Sequence, residues 1–477
     1  MGEDLNEDLL DYIIKTAAKL GADYTDARLE RYVGDGCSLK NGIPEGLGFD
    51  EIKGISARVL IKGAMGFVTL DTLNKNKIRE ALENTIKTTS YMAKSTKLKT
   101  QMSEEKIHKS SYKIKPKISG QDISPADKIS VLKDMHSILK NSKINIPSTY
   151  FALESIDIQK LFKNSEGTRV SASMPFIELF YTATVKENQK TAQRFFQLIN
   201  TKGWEAIGEW KPTDRILAEA TALRDNLRNA VKAPKSSHLD VVAGPEIVGI
   251  MVHESVGHPY EADRILGREA AQAGESFIKP KDLGIKIGSD IVTVHDDPTI
   301  PYSAGFYKYD DEGVKARPKV LIKNGVIKEF LHNRQTAAIF NTKSNGGARS
   351  SDVAKEPIVR MSNTYMLPGN HTEEELIEDI KLGIYMKNYT EWNIDDKRLH
   401  QKYVGNEAYL IKNGKIVGPV RRPVIEISTT ELYKAIDAVG KKVEYSGGTC
   451  GKGEPMQGVP VWFGGPAVRI RRACCSI

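Results

Sequence analysis

The sequence predicts an α+β fold with two domains. An N-terminal mixed α/β sheet domain is expected over residues 1–235, and a C-terminal strand-rich domain over residues 236–477. A chain of 477 residues exceeds what one ordinary core supports. Helical and strand patterns are mixed without the strict alternation that parallel sheets need, and this favours α+β domains. An apolar content of 40% and a charged content of 27% are typical of a globular protein.

The N-terminal domain is predicted to begin with an amphipathic helix that precedes antiparallel strands. Apolar residues at helical spacing over residues 5–20 predict the helix. Short β-rich runs, interrupted by glycine, predict strands within residues 24–70 and again within residues 150–198. Three further helices are predicted over residues 77–93, 125–139 and 213–230.

The C-terminal domain is predicted to begin with a strand-turn-helix unit. A β-forming run at 239–243 precedes the turn residues Gly244 and Pro245, and a helix with an apolar face follows and leads to His253. Asn-Gly pairs between β-forming flanks are strong signals for type I′ hairpins. The remaining predicted features are hairpins at 322–328 and 411–417, a helix at 429–439 and a glycine-rich stretch at 447–469.

Composition and charge exclude several functional classes. The formal charge of +8 results from 69 basic and 61 acidic residues that are interleaved, and the short lysine-rich segments 94–99 and 113–117 lack interleaved aromatic residues. This predicts a solvated surface and no nucleic-acid partner. The apolar runs fall well short of the ~20 residues that span a bilayer, and no secretory signal is recognisable at the N-terminus. We therefore expect a cytoplasmic protein without a membrane span.

The four cysteines do not form the pattern of a disulfide framework in so long a chain. Cys474 and Cys475 are predicted to be surface thiols on a loose C-terminal tail, and the sequence assigns them no role.

The segment His253-Glu254-Ser255-Val256-Gly257-His258 carries the strongest chemical signal. Hydrolysis at zinc needs imidazole or thiolate ligands, one open position for water and a carboxylate beside that water. His253 and His258 can supply two ligands, and Glu254 can act as the general base. The segment therefore predicts a zinc site, although a lone HExxxH pattern is weaker than HExxH.

The spacing of the two histidines predicts a break in helical geometry. In a regular α-helix, five steps leave the two side chains roughly 140° apart, which is too far for one ion. Either a π-type bulge absorbs the extra residue, or the helix ends at Gly257 and His258 returns from an irregular turn. Gly257 and Pro259 both disfavour a regular helix here. The last turn should therefore be distorted between Glu254 and His258.

A third ligand has to come from elsewhere in the chain. Glu261, Asp263, His295 and Cys450 are candidates. Cys450 lies within the glycine-rich segment 446–453, whose backbone freedom would let a thiolate approach a metal. The same segment does not match a phosphate-binding P-loop, because the required glycine and hydroxyl positions are missing.

Three separated blocks of sequence resemble the TldD/PmbA family of metallopeptidases. The blocks are Gly54–Phe67, Val252–Asp263 and the glycine-rich segment Gly447–Lys452 with Gln457–Pro460, and they occur in the family's order. The likeness extends over nearly the whole chain. Because the histidine motif is retained, the chain resembles the catalytic, TldD-type subunit.

The resemblance implies a Zn²⁺ cofactor bound by His253, His258 and Cys450, with Glu254 polarising the attacking water. It also implies a peptidase that acts on extended or unfolded peptides. A homodimer, or a heterodimer with a homologous subunit, is implied as the assembly. The glycine-rich run 447–465 is a candidate sheet edge to which a peptide could add as a strand.

A different class of function stays open at the level of sequence. The chain could be a regulatory or partner-binding subunit in which zinc is structural and no turnover occurs. The ligand count separates the two hypotheses, because a fourth protein ligand favours a structural site, whereas three ligands with an open position favour catalysis.

Overall fold

The N-terminal half is built on one large sheet. The computed structural model describes residues 5–234, 238–268, 274–473 and 475–476. In chain order, the elements of this half are α1 (Asp8–Lys19), β1 (Tyr24–Lys40), β2 (Ile43–Ile61), β3 (Ala64–Leu70), α2 (Lys75–Ser95), β4 (Lys109–Lys113), a 3₁₀ turn (Gly120–Asp122), α3 (Pro125–Asn141), β5 (Ser148–Asn164), β6 (Arg169–Glu187), β7 (Lys190–Asn200), α4 (Glu205–Trp210) and α5 (Pro212–Asn229).

Six of the seven strands follow the order β3-β2-β1-β5-β6-β4, and the seventh, β7, pairs with β6. All pairs are antiparallel except β4 with β6. Helices cover the sheet because their apolar faces bury against it: α1 and α2 enclose one core cluster, and α3 and α5 enclose another. The predicted α+β character of this half is confirmed.

The C-terminal half is richer in strands, and its helices are short. In chain order, its elements are β8 (Leu239–Ala243), α6 (Pro245–Val252), a π-helical turn (His253–Gly257), a 3₁₀ turn (His258–Tyr260), α7 (Ala262–Ile265), a 3₁₀ turn (Pro280–Asp282), β9 (Val294–Asp296), β10 (Lys319–Lys323), β11 (Val326–Ile327), α8 (Arg334–Ile339), β12 (Ala348–Arg349), β13 (Ile358–Val359), β14 (Asn363–Met366), α9 (Glu373–Ile377), β15 (Leu382–Met386), β16 (Tyr389–Ile394), β17 (His400–Gly405), β18 (Ala408–Lys412), β19 (Lys415–Pro419), β20 (Val424–Ser428), α10 (Thr429–Ala435), β21 (Ile436–Val439), β22 (Glu444–Lys452), β23 (Gln457–Gly465), β24 (Val468–Ala473) and β25 (Cys475–Ser476).

Two six-stranded sheets and one four-stranded sheet organise this half. Their strand orders are β11-β10-β9-β14-β23-β22, β19-β18-β15-β8-β24-β21 and β16-β17-β20-β25. Helix α6 is apolar and buried from Ile247 to Val252, and it belongs to the largest core cluster of the molecule. The site described below lies at the end of this helix and beside the edge strand β22.

Both predicted hairpins are present. The turn between β10 and β11 has positive φ at Asn324 (51°) and Gly325 (73°), and the turn between β18 and β19 has positive φ at Asn413 (47°) and Gly414 (74°). Positive φ at both central positions is what a type I′ turn requires. Asparagine and glycine tolerate this conformation best, and the Asn-Gly pairs therefore sufficed to predict both turns.

Two predictions about local structure are wrong. The helix predicted over residues 429–439 ends at Ala435, because Ile436–Val439 pairs with β24 as strand β21 and buries three of its four residues there. The C-terminal tail is not loose at residues 475–476, which pair with β20. Cys474 itself lies outside the described residues.

The predicted junction at 235/236 also falls on residues outside the described ranges, and the division into residues 1–235 and 236–477 stays a prediction. Within the described ranges, no helix combines the length and apolar character needed to cross a membrane.

Candidate metal centre

A strand-turn-helix unit places His253 in the core, as predicted. Strand β8 ends at Ala243, and Pro245 opens α6 at a position where a missing N–H costs nothing. Gly249 lets the helix approach β23 closely, because a Cβ there would lie 2.9 Å from the Phe463 ring and 3.1 Å from backbone atoms of Gly464. Helix α6 thus packs tightly on the sheet that also contains β22.

The helix changes from α to π geometry at the histidine motif. The N–H of His258 donates to the carbonyl of His253, a bond that spans one residue more than in an α-helix. The two rings therefore lie on the same side, with centroids 4.9 Å apart. The distortion predicted between Glu254 and His258 is confirmed, and of the two alternatives it is the π-type bulge. Space also requires a glycine at position 257, because a Cβ there would lie 1.8 Å from the Met361 sulfur.

The third member of the cluster comes from β22, far along the chain. The sulfur of Cys450 lies 3.4 Å from Nε2 of His258. The potential ligand atoms of His253, His258 and Cys450 all lie within 4.8 Å of one another, and all three residues are buried. Ligands of one tetrahedral zinc ion lie ~3.4–3.8 Å apart, given the usual Zn–N and Zn–S distances. The cluster is close to that size.

The electrostatics of the cluster match a thiolate with imidazole neighbours. Burial alone would raise the pKa of the Cys450 thiol, but the charges of His258, His253 and Arg360 together bring this pKa well below its ordinary value. Burial would lower the pKa of His253, whereas the interaction with Cys450 raises it. Within the described part of the chain, Nδ1 of His253 is buried without a hydrogen-bond partner. A soft thiolate and two imidazoles, one of which has an orphaned ring nitrogen, form a donor set that suits zinc.

A buried carboxylate orients His258 from behind. Oε2 of Glu261 lies 3.1 Å from Nδ1 of His258, and it also accepts from Nε of Arg264 at 2.7 Å. Nζ of Lys452 lies 3.2 Å from the same oxygen and 2.7 Å from Oδ1 of Asp263. Burial would raise the pKa of Glu261, but Lys452, His258 and Arg264 hold it well below its usual range. This carboxylate therefore stays charged and directs Nε2 of His258 towards Cys450.

A second carboxylate, that of Glu254, contacts other residues than those that surround Glu261. Oε1 of Glu254 accepts a hydrogen bond of 3.1 Å from the indole Nε1 of Trp392. Its Oε2 forms an ion pair with Nη1 of Arg398. Both donors belong to the hairpin formed by β16 and β17. Glu254 is thus positioned by a different part of the chain from the one that holds Glu261.

Glu254 and the three potential ligands line a cavity of about 320 Å³. Strand β22 forms one wall from Ser446 to Gly451, and strand β7 of the N-terminal half contributes another. Phe195, Tyr389 and Trp392 form an aromatic group on this side, with ring centroids 5.3–6.2 Å apart. The cavity thus lies between the two halves of the chain and contains both apolar and charged surfaces.

Family models match three successive parts of the chain. The model for the PmbA/TldA metallopeptidase C-terminal domain matches residues 236–476, that for domain 1 matches residues 25–93, and that for the central domain matches residues 118–228. The chain belongs to the PmbA/TldD metallopeptidase family. The resemblance noted in the sequence is confirmed.

Relatives within the PmbA/TldD family carry metalloprotease names. A metalloprotease of Methanocaldococcus jannaschii is 32% identical over 94% of this chain and 96% of its own length. A protein of Saccharolobus solfataricus named zinc metalloprotease TldD homolog is 27% identical over 96% of this chain and 98% of its own length. The crystal structure of TldE from Thermococcus kodakarensis has the same fold, with a TM-score of 0.78 at 18% identity, and the match covers 98% of this chain and 100% of TldE.

The four residues that the sequence offered as a third ligand occupy different places in the structure. Cys450 joins the histidines, whereas Glu261 and Asp263 belong to the charged network behind them. His295 lies in β9 and packs its ring against Tyr365. Sequence reasoning missed Trp392, Arg398 and Lys452. The spacing of Glu261 from His258, three residues, was the one available hint of a supporting carboxylate.

Proposed function

We propose that this chain is a zinc-dependent peptidase that hydrolyses extended or unfolded peptides. The observation that carries the proposal is the placement of Glu254 on the cavity wall beside a buried cluster of His253, His258 and Cys450. The cluster found among the described residues has three donors, which would leave a coordination position for water. An open position favours catalysis over a structural role.

His253, His258 and Cys450 would bind the zinc ion, which lowers the pKa of water and polarises a carbonyl group. Glu254 would accept the proton of the attacking water and return it to the leaving amine. Glu261 would keep the ring of His258 in place throughout. Two separate carboxylates thus support ligand orientation and proton transfer.

Strand β22 offers an edge to which an extended peptide can add. On the neighbouring strand β23, the N–H of Trp462 points away from β22 and donates to Oδ1 of Asn363. Pro460 of β23 has no N–H that it could donate to β22. In an antiparallel pair the residues opposite these, Gly447 and Thr449, direct their backbone groups away from β23. Both residues line the cavity. Backbone pairing at this edge would bind peptides with little dependence on their sequence.

The test of the proposed function combines metal analysis with peptide hydrolysis. Wild-type protein should purify with stoichiometric zinc and cleave members of a library of unstructured peptides. Cys450→Ser should lose most of the zinc and the cleavage. Cys37→Ser is the matched control, because Cys37 is also a buried free thiol but lies in β1 of the N-terminal sheet. A folded wild type that binds no zinc and cuts no peptide would refute the proposal.

We further propose that the chain acts as a homodimer or as a heterodimer with a homologous subunit. Strand β2 pairs with β1 on one side along its length. On its other side β3 pairs with residues 55–61, so that residues 43–52 have no neighbouring strand there among the described residues. Ile43, Leu47 and Phe49 are 61–68% exposed on this uncovered edge. Such a strand favours association. Light scattering should show a dimer, either of the wild type alone or of the wild type mixed with a purified homologous subunit, and Phe49→Lys should weaken that dimer. A monomeric wild type that stays monomeric with the homologue would contradict this.

A further inference from the structure

Arg398 is the cationic side chain on the cavity wall whose bonding is incomplete. Its side chain is 13% exposed and contacts Glu254 through Nη1. Its Nε is buried and has no hydrogen-bond partner among the residues that the structure describes. A guanidinium group presents five N–H donors in a rigid plane, and a buried donor without an acceptor costs free energy. Since Arg398 lines the cavity and its side chain is partly exposed, a ligand that enters there can contact this cationic group.

The backbone of Arg398 is fixed by its surroundings. Its φ of 63° lies in the left-handed region, where residues other than glycine are uncommon. The surroundings fix this conformation: its carbonyl accepts from Oγ1 of Thr429 at 2.9 Å, and its N–H donates to the carbonyl of Asp395 at 2.9 Å. These bonds hold the residue in one conformation beside the cavity.

We propose that Arg398 is a catalytic residue that donates a hydrogen bond to the oxygen of the scissile peptide carbonyl as that oxygen becomes negative. This inference rests on the proposed peptidase function. The contact with Glu254 places the guanidinium next to the base, and the base must lie beside the carbonyl carbon that water attacks. A fixed donor at that place stabilises the charge that develops in the transition state.

The step balances without a further reactant. The oxygen of water forms a bond to the carbonyl carbon, the π electrons of the carbonyl move onto its oxygen, and Glu254 takes one proton of the water. The electrons then return from that oxygen as the C–N bond breaks, and Glu254 passes the proton to the leaving nitrogen. Arg398 keeps its positive charge throughout and exchanges no proton in this step.

The test compares Arg398→Lys and Arg398→Gln with wild type. Lysine retains the positive charge beside Glu254 but lacks Nε and the planar fork. For a peptide that the wild type cleaves, kcat should fall about 100-fold in both variants with KM nearly unchanged. Affinity for a peptidyl phosphinate, which resembles the tetrahedral state, should fall in parallel with kcat/KM. Lys397→Gln, at a side chain that is 64% exposed on the same hairpin, should behave as wild type.

Several results would overturn the inference. If Arg398→Lys restored wild-type kcat, the residue would act only through its charge on Glu254. If the variants raised KM only, and only for peptides with a free rather than an amidated C-terminus, Arg398 would bind a terminal carboxylate. Zinc content and Tm of each variant identify a folding defect, in which case the conservative lysine variant decides. An inactive wild type would instead defeat the proposed function itself.

Discussion

The carboxylate behind His258 is enclosed by core residues, whereas the carboxylate beside His253 opens onto a cavity. Glu261 meets Lys452 and Arg264, and the Lys452 side chain is 0% exposed. Glu254 meets Trp392 and Arg398, both on one hairpin, and Trp392 is 38% exposed. The difference indicates two roles. Glu261, the inner carboxylate, fixes the geometry of the ligand His258, and Glu254, the outer carboxylate, remains available for chemistry. Changes on the two sides should therefore affect different measurements.

The largest effect on activity is expected on the outer side, from Glu254→Gln. This variant retains the shape of the side chain but cannot accept a proton, so kcat should fall by about 10²–10⁴-fold. Zinc content should remain at the wild-type level, because Glu254 is not one of the proposed ligands. Glu391→Gln, at an exposed carboxylate on β16, provides the control. Normal hydrolysis by Glu254→Gln would show that another group is the base.

The largest effect on stability is expected on the inner side, from Lys452→Met. Removal of this cation leaves Glu261 and Asp263 buried beside an apolar group, which should cost about 3–5 kcal/mol. The measurement is the free energy of unfolding of the zinc-free protein in urea. Lys442→Met, whose side chain is 83% exposed, should cost less than about 0.5 kcal/mol.

The same variant has a defined dependence on pH. The pKa of Glu261 is depressed in the folded protein, so the stability that it contributes is present above its unfolded pKa. That contribution is lost as the pH falls through the depressed folded value. The difference between wild type and Lys452→Met should therefore be largest near neutral pH and smaller in acid. A difference that grew in acid would contradict the assignment of Glu261 as a buried charged group.

A smaller effect on metal binding is expected from Glu261→Gln. A neutral amide supports the imidazole less well than a carboxylate, and loss of such a partner typically lowers metal affinity by about 10–100-fold. Zinc competition with a chelator measures this directly. Glu275→Gln is the control, because that side chain is 48% exposed. Unchanged zinc affinity in Glu261→Gln would mean that packing alone orients His258.

Short-range signals in the sequence predicted the local backbone geometry of the candidate site. The five-residue spacing of the histidines, together with Gly257 and Pro259, predicted the distortion that the π turn now explains. The prediction succeeded because local backbone geometry limits how two side chains on one helix can converge. The type I′ hairpins were predictable for the same reason, since φ preferences are local.

Contacts between distant segments could not be predicted in this way. Trp392 and Arg398 lie 138 and 144 residues from Glu254 along the chain. Their hairpin has an ordinary polar sequence, so nothing local marks it as part of a site. Lys452 was visible only as part of a segment that failed to match a P-loop, although it is the cation that neutralises the inner carboxylates. The prediction of a helix over residues 429–439 was wrong for a similar reason, because pairing with β24 overrides the helical pattern from Ile436 onwards.

The smallest effect is expected from Trp392→Phe, which tests how firmly the outer carboxylate must be held. Phenylalanine retains an aromatic ring beside Phe195 and Tyr389 but removes the N–H that Oε1 of Glu254 accepts. One neutral-donor hydrogen bond is worth about 0.5–1.5 kcal/mol, so kcat should fall by roughly 2–12-fold. Trp462→Phe is the matched control, because its indole N–H donates instead to the carbonyl of Ile199 at 2.7 Å. The control should lower stability and leave kcat unchanged. Equal kcat losses in both variants would show that the effect of Trp392 is one of general packing, and that the hairpin does not position the base through this bond.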